Sequence, residues 1–236
     1  MPRIKRPSIT IAIPAYNEEE SLPIVLKDTL KKLPKYFSDW EIIIVNDGST
    51  DKTSQISEKF ANKYKQIKVI HQNNKGFSKA MHAAVKKASK DFVAYMPADG
   101  QFLINDMRHC FEVLKDADLI LGYRGGRQDY TIKRVFFSYG YLLLLLLLFD
   151  IKYMDVGWVH IWNTKKVKRL KLNALGGIFI LTEVVVRFKN KGYKILEAPS
   201  YYHSRLGGEV KNAKIKVVVS TFMNALKLRV ELMSRK

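Results

Sequence analysis

The chain has 236 residues, 47% hydrophobic and 27% charged, a balance that permits a sizeable core and excludes a disordered polyelectrolyte. Its formal net charge of +19, from 41 Lys+Arg against 22 Asp+Glu, points to polyanionic partners: nucleic acid, anionic lipid head groups or phosphorylated substrates. No zinc-finger spacing, RNP-type aromatic motif or DNA-reading helix accompanies that charge, so no nucleic acid partner is expected.

The N-terminal MPRIKRPSI is basic and runs straight into a strand-like segment, without the apolar stretch and cleavage site of a signal peptide. Residues 8–122 then alternate short apolar runs with helical patterns. Strands are predicted at 8–13, 41–46, 67–71, 92–96 and 118–122, and amphipathic helices near 18–33, 52–64, 77–89 and 105–116. Ser49, Thr50 and Asp51 are candidate caps for the second helix. This rhythm predicts a mostly parallel α/β sheet flanked by helices, with its ligand loops on one edge. PAYNEEE follows the first strand where an ordinary dinucleotide fold would carry G-x-G-x-x-G, so that loop contacts something else. Cys110, in the fourth predicted helix, is the only cysteine; an intrachain disulfide is excluded, and a reducing, cytoplasmic location is expected.

After residue 122 the pattern changes to YRGGRQDYTIKR (123–134) and then to the apolar run VFFSYGYLLLLLLLF (135–149). As a helix these 15 residues span about 22 Å, short of the roughly 30 Å hydrocarbon thickness. The run is either a buried core helix or one that dips into a membrane surface, with Arg134 and Lys152 at head-group level. From Arg205 onward there are eight Lys/Arg against Glu209 and Glu231, and 217–233 carries a helical apolar stripe. That stripe suits a membrane surface, a partner helix or one face of the domain. The expected division is a main domain over 1–212 and a basic amphipathic C-terminal helix over 213–236.

The most telling local feature is FVAYMPADGQF (92–102), where an apolar strand ends on Asp99 in a turn shaped by Pro97 and Gly100. A carboxylate at the carboxyl end of a buried strand is where open α/β sheets place ligand chemistry, and its oxygens suit Mg²⁺ or Mn²⁺ carrying a diphosphate. The five histidines form no metal-ligand spacing; His203, beside Arg205, is a candidate wall of the site.

The ordered set IPAYNEEESLP (13–23), IIIVNDGSTDKT (42–53), NNKGFSKAMHAAVKKA (73–88), MPADGQ (96–101) and LILGYRGGR (119–127) resembles the inverting family 2 glycosyltransferases of GT-A fold. Within that family it is most similar to the dolichyl- or polyprenyl-phosphate sugar synthases. The resemblance implies a nucleotide-sugar site with Asp47 on the base and Pro14, Ala15, Tyr16 and Glu18 in the first loop. It also places Lys75 and Gly76 near the base or ribose, and Ala98, Asp99 and Gln101 at the metal loop, with Asp99 and Gln101 as metal residues. Asp51 is read as structural. Where the family carries Asp-x-Asp, this chain reads Pro97-Ala98-Asp99, so the first carboxylate is missing.

By the same resemblance, Arg124, Arg127, Arg134, Arg205 and Lys211 bind phosphate, and Asp99, Arg205 and Glu183 form the catalytic set. Arginine suits this because its planar fork binds phosphate bidentately. The implied reaction moves a sugar from a UDP- or GDP-sugar to a polyprenyl phosphate at the cytoplasmic face of an anionic membrane. Two alternatives stand beside it: transfer to a glycan hydroxyl with Glu183 as base, and a catalytically degenerate nucleotide-sugar-binding module.

Overall fold

The computed structural model describes residues 7–124, 132–173, 176–203 and 215–234. Seven strands form one sheet in the order β3-β2-β1-β4-β6-β5-β7: β1 (Ile9–Ala15), β2 (Trp40–Asp47), β3 (Ile67–Gln72), β4 (Phe92–Tyr95), β5 (Leu119–Arg124), β6 (Val159–Asn163) and β7 (Ile195–Ser200). The pairings β1·β2, β2·β3, β1·β4 and β5·β7 are parallel. β6 runs antiparallel between β4 and β5, so six carboxyl ends emerge at one edge.

Alternation along β2 builds the two cores. Ile42 and Ile44 pack with α1 (Leu22–Tyr36) and with α4 (Arg108–Glu112) on one face. Ile43 and Val45 pack on the other face with α3 (Phe77–Lys87) and α7 (Phe179–Asn190). Helix α2 (Thr53–Lys63) packs on β3, and the short α6 (Thr164–Lys168) follows β6 with Asn163 as its cap. Because side chains alternate with period two, Asn46 and Asp47 at the end of β2 point to opposite faces.

The five predicted strands and the first three helices are all present. The fourth, near 105–116, is instead α4 flanked by 3₁₀ turns at Ile104–Met107 and Leu114–Asp116. Its apolar face is nonetheless the one the spacing predicts, with Ile104, Met107, Cys110 and Leu114 buried. The apolar run lies in α5 (Ile132–Phe149), and the C-terminal stripe in α8 (Ile215–Met233). The two helices pack on each other, with the Tyr141 and Phe222 rings 5.7 Å apart, while the Tyr141 hydroxyl lies 2.9 Å from Thr182 Oγ1 of α7. Among the described residues no helix is long and apolar enough to cross a membrane.

Candidate nucleotide-sugar site

At the shared carboxyl edge the loops after β1 and β2 are zipped together. The N–H groups of Asn17, Glu18 and Glu19 donate to Ser49 Oγ (3.0 Å), Thr53 Oγ1 (2.8 Å) and Asp51 Oδ2 (3.1 Å), and Thr50 N–H returns a bond to Asn17 Oδ1 (2.8 Å). Asn17 adopts φ 54°, the left-handed region that asparagine tolerates better than most residues. Burial works against the charge on Asp51, but hydrogen bonds from Thr53 and the Glu19 N–H outweigh it and hold the carboxyl below its ordinary value. Asp51 is therefore a loop clasp and helix-start residue, as its position implies. Pro14 and Ala15 end β1 opposite Val45 and Asn46, Tyr16 follows them, and the Glu18 carboxylate accepts from Ser21 Oγ at 2.7 Å.

Asp47 closes the second loop. Its Oδ1 accepts from Gln72 Nε2 (2.6 Å) and the Lys75 N–H (2.9 Å), and Oδ2 accepts from the Gly76 N–H (2.8 Å). Gly76 is the N-cap residue of α3, so the carboxylate satisfies N–H groups that a helix start leaves unpaired. Gly48 makes this packing possible: its φ is +72°, and a Cβ there would lie 2.6 Å from the Asn74 nitrogen. On the opposite face Asn46 bonds the Ser49 N–H (3.1 Å) and His71 Nδ1 (3.0 Å).

The turn after β4 carries Asp99, which is 6% exposed and accepts from the Gln101 N–H at 3.1 Å. Ala98 is packed in the core beneath it. The chain leaving β7 passes this turn: His203 N–H donates to the Gln101 carbonyl (2.8 Å), Gln101 Nε2 lies 3.4 Å from the Tyr202 hydroxyl, and His203 Nε2 lies 3.0 Å from Asp106 Oδ2. His203 is thus anchored beside the Asp99 turn.

For the third component, sequence reasoning named Arg124 as a phosphate-binding residue but missed its partners Asp155 and Trp158. Arg124, at the end of β5, donates from Nε to Asp155 Oδ2 at 2.7 Å and lies 4.6 Å from the centre of the Trp158 ring. Trp158 in turn meets Phe102 (4.8 Å) and Tyr202 (5.3 Å), joining the Asp99 turn to the Arg124 strand through one aromatic cluster. The signal available was the run Asp155-Val156-Gly157-Trp158 immediately before a short apolar segment, where Asp155 Oδ1 also accepts the Gly157 N–H at 3.1 Å.

Glu183 bonds none of these residues. It is fully buried in α7; its Oε1 accepts from the Asn173 N–H (2.8 Å) and Arg187 Nε (2.9 Å), and its Oε2 has no hydrogen-bond partner among the described residues. Arg127, Arg205 and Lys211 lie outside the described residues, and Arg134 falls in the first turn of α5 with its side chain outside them.

The donor chemistry at Asp99 fits a hard divalent cation: a carboxylate and the Gln101 amide oxygen are both oxygen ligands. Among the described residues no group of three His, Cys, Asp or Glu side chains could hold a metal ion by itself.

A mostly parallel sheet thus carries two loop-bound carboxylates, Asp47 and Asp99, at its carboxyl edge. Residues 10–170 match the family described as Glycosyl transferase family 2, and the chain belongs to it; it is a glycosyltransferase. It is 29% identical over 251 aligned positions to a dolichyl-phosphate beta-glucosyltransferase of Trichomonas vaginalis, covering 94% of this chain and 76% of that protein. It is 31% identical over 131 positions to an undecaprenyl-phosphate 4-deoxy-4-formamido-L-arabinose transferase of Pectobacterium atrosepticum, where the match covers 54% of this chain and 40% of the relative. Among solved structures, glucosyl-3-phosphoglycerate synthase of Mycobacterium tuberculosis, in complex with Mn²⁺, UDP and phosphoglyceric acid, shares the fold at TM-score 0.69 and 16% identity, over 93% of this chain and 78% of that one. The mannosyltransferase of Pyrobaculum calidifontis, in complex with GDP-Man and Mn²⁺, aligns at TM-score 0.64 and 16% identity, over 95% and 65%.

Proposed function

We propose that the protein transfers a sugar, with inversion, from a nucleoside-diphosphate sugar to a polyprenyl phosphate at the cytoplasmic face of a membrane. The observation that carries this reading is the single sheet edge onto which β2, β4 and β5 deliver Asp47, Asp99 and Arg124. The base lies against Asp47, between the Pro14–Tyr16 segment with Glu18 and the Lys75-Gly76 turn. The diphosphate reaches toward Asp99. Asp99 and Gln101 are the residues that would hold Mg²⁺ or Mn²⁺, which when bound offsets the charge of the diphosphate. Arg127, Arg134, Arg205 and Lys211 supply the basic groups for the donor and acceptor phosphates, beside Arg124, whose charge is already paired with Asp155.

In the reaction an acceptor phosphate oxygen forms a bond to the anomeric carbon as the bond from that carbon to the diphosphate breaks. A nucleoside diphosphate leaves, and the configuration inverts. A phosphate monoester with a second pKa of about 6 is already ionised at neutral pH, so no general base is needed. Catalysis then comes from positioning and from stabilising the leaving charge. The burial of Glu183 in an ion pair with Arg187 supports this acceptor over a hydroxyl, because a base must reach its proton.

Membrane docking is supported by α5 and α8, the latter falling in the accessory unit expected at 213–236. α5 exposes Phe136, Tyr139, Leu143 and Leu147, and α8 exposes Val219, Met223, Leu226, Val230 and Met233. Their spacing of three or four residues lines up one apolar stripe on each helix, with Lys227 and Arg229 exposed beside the stripe on α8. The relatives named for dolichyl- and undecaprenyl-phosphate transfer support the lipid acceptor.

The test uses the full chain with labelled UDP- and GDP-sugars, Mn²⁺, and either a short polyprenyl phosphate or a soluble sugar. Lipid-linked product, lost by at least about 100-fold in Asp99→Ala, is the expected result. Faster transfer to the soluble acceptor would overturn the lipid assignment.

A further inference from the structure

Near the amino edge of the sheet the surface carries a groove of about 360 Å³, lined by Lys27, Leu30 and Lys31 of α1, Trp40 at the start of β2, and Tyr64 and Gln66 between α2 and β3. That volume falls within the roughly 300–1,000 Å³ of small-molecule sites. Trp40 and Asp47 are the two ends of β2, so at about 3.3 Å per residue they lie about 23 Å apart. The groove is therefore separate from the nucleotide-sugar edge.

Its polar lining is uncommitted. Among the described residues the Lys27 and Lys31 ammonium groups, the Trp40 N–H, the Tyr64 hydroxyl and the Gln66 amide have neither a hydrogen-bond partner nor an ion pair. Lysines close by are paired: Lys32 with Asp28, Lys68 with Glu41 and Lys90 with Asp39. Lys27 and Lys31 stand four residues apart on α1 and so share one helix face, and no carboxylate lines the groove to neutralise them. The Tyr64 ring is held in place, stacked on Phe60 at 6.2 Å with Lys63 Nζ 5.4 Å from its centre. The groove thus combines two aromatic rings, three neutral hydrogen-bonding groups and two unneutralised cations.

Each part selects. Aromatic rings offer a flat apolar wall whose polar tips stay available, and this suits the C–H face of a sugar ring edged by hydroxyls. The amide, the indole N–H and the phenol meet such hydroxyls as donors or acceptors. Paired ammonium groups call for an anion, with charge-assisted bonds roughly twice as strong as neutral ones. A bare inorganic anion would leave the rings unused, and a neutral sugar would leave the cations unpaired. We propose that the groove binds an anionic hexose, a sugar ring carrying a phosphate or a carboxylate, with the ring against Trp40 and Tyr64 and the charge between Lys27 and Lys31. This second carbohydrate site stands independently of the nucleotide-sugar reading.

Tryptophan fluorescence reads this groove, because Trp40 is half-exposed while Trp158 and Trp162 are buried. The full chain is titrated with glucose 6-phosphate, glucuronate, glucose and inorganic phosphate, each with and without saturating UDP and Mn²⁺. A saturable change is expected with glucose 6-phosphate or glucuronate, the arm that saturates identifying the anion, and affinity for glucose and for inorganic phosphate should be weaker by about tenfold or more. Lys27→Ala with Lys31→Ala, two exposed positions, should weaken the anionic sugar by about tenfold or more at unchanged circular dichroism. No saturable change with either anionic sugar, or inorganic phosphate binding as tightly as the sugar phosphate, would overturn the proposal, and these wild-type arms decide even if the variant fails to fold. Undiminished binding by the double variant would overturn it too. Loss of the response on adding UDP and Mn²⁺ would put the sugar at the carboxyl edge and equally overturn it. Failure of UDP itself to bind, read by calorimetry, would overturn the nucleotide-sugar reading and leave the groove's assignment standing.

Discussion

Arg187 of α7 bridges two carboxylates from different helices: its Nη2 lies 2.8 Å from Glu183 Oε1 on its own helix and 3.1 Å from Glu231 Oε2 on α8. Asn173 completes the cluster by bonding both glutamates. The C-terminal helix is therefore fastened to the domain by a buried charge network as well as by apolar contact with α5. Arg187→Ala strands a fully buried Glu183 carboxylate and is expected to lower unfolding free energy by about 3–5 kcal/mol, read by urea denaturation. Replacing Glu183 and Arg187 together with Leu and Met should recover most of that loss. Glu183→Gln should leave transfer to a lipid phosphate far above the loss of about 10²–10⁴-fold that removal of a general base produces.

His160 predicts an acid limb of stability. It is fully buried, with Nε2 3.1 Å from the Val156 carbonyl and Nδ1 3.2 Å from Trp162 Nε1, so the ring must be neutral with its proton on Nε2. Protonation would set Nδ1–H against the Trp162 N–H. Burial pushes its pKa down from 6.5 to about 4. The unfolded chain therefore binds this proton at a higher pH than the folded one, and stability is full above about 6.5, falling as pH drops toward about 4. The loss from this group amounts to about 3 kcal/mol. Urea midpoints measured between pH 7 and pH 4 should decline, and His160→Gln should flatten that decline.

The apolar stripes of α5 and α8 predict binding to vesicles containing anionic lipid. Leu147 and Val230, 73% and 67% exposed, are the sharpest probes. Burying one such side chain is worth about 1.5–3 kcal/mol, so Leu147→Ser with Val230→Ser should weaken vesicle cosedimentation by at least about tenfold with unchanged circular dichroism. Added salt should weaken binding as the basic groups beside the stripe are screened. Undiminished binding by the double variant would remove this face from the account.

The parallel half of the sheet was legible because its strands are buried on both faces and read as continuous apolar runs, such as Ile42 to Val45. β6 and β7 were not. β6 buries a histidine beside Trp162, which breaks the apolar signal, and β7 is an edge strand carrying Glu197 and Pro199. At the site, motif order located Asp47 and Asp99, since each ends an apolar run. The Arg124–Asp155–Trp158 cluster was hidden because Asp155 and Trp158 follow Arg124 by more than thirty positions and meet it only through the β5·β6 pairing. The aim of Asp47 at Gly76, and hence its second duty as a helix-start acceptor, emerges only from the packing of α3.

The most direct measurement is a crystal structure of the full chain with UDP and Mn²⁺. The account predicts the base edge on Asp47 Oδ2, the diphosphate beside Asp99 with the ion between them, and the basic segment after β5 facing the phosphates. A nucleotide bound elsewhere, or bound at this edge while touching neither carboxylate, would contradict it.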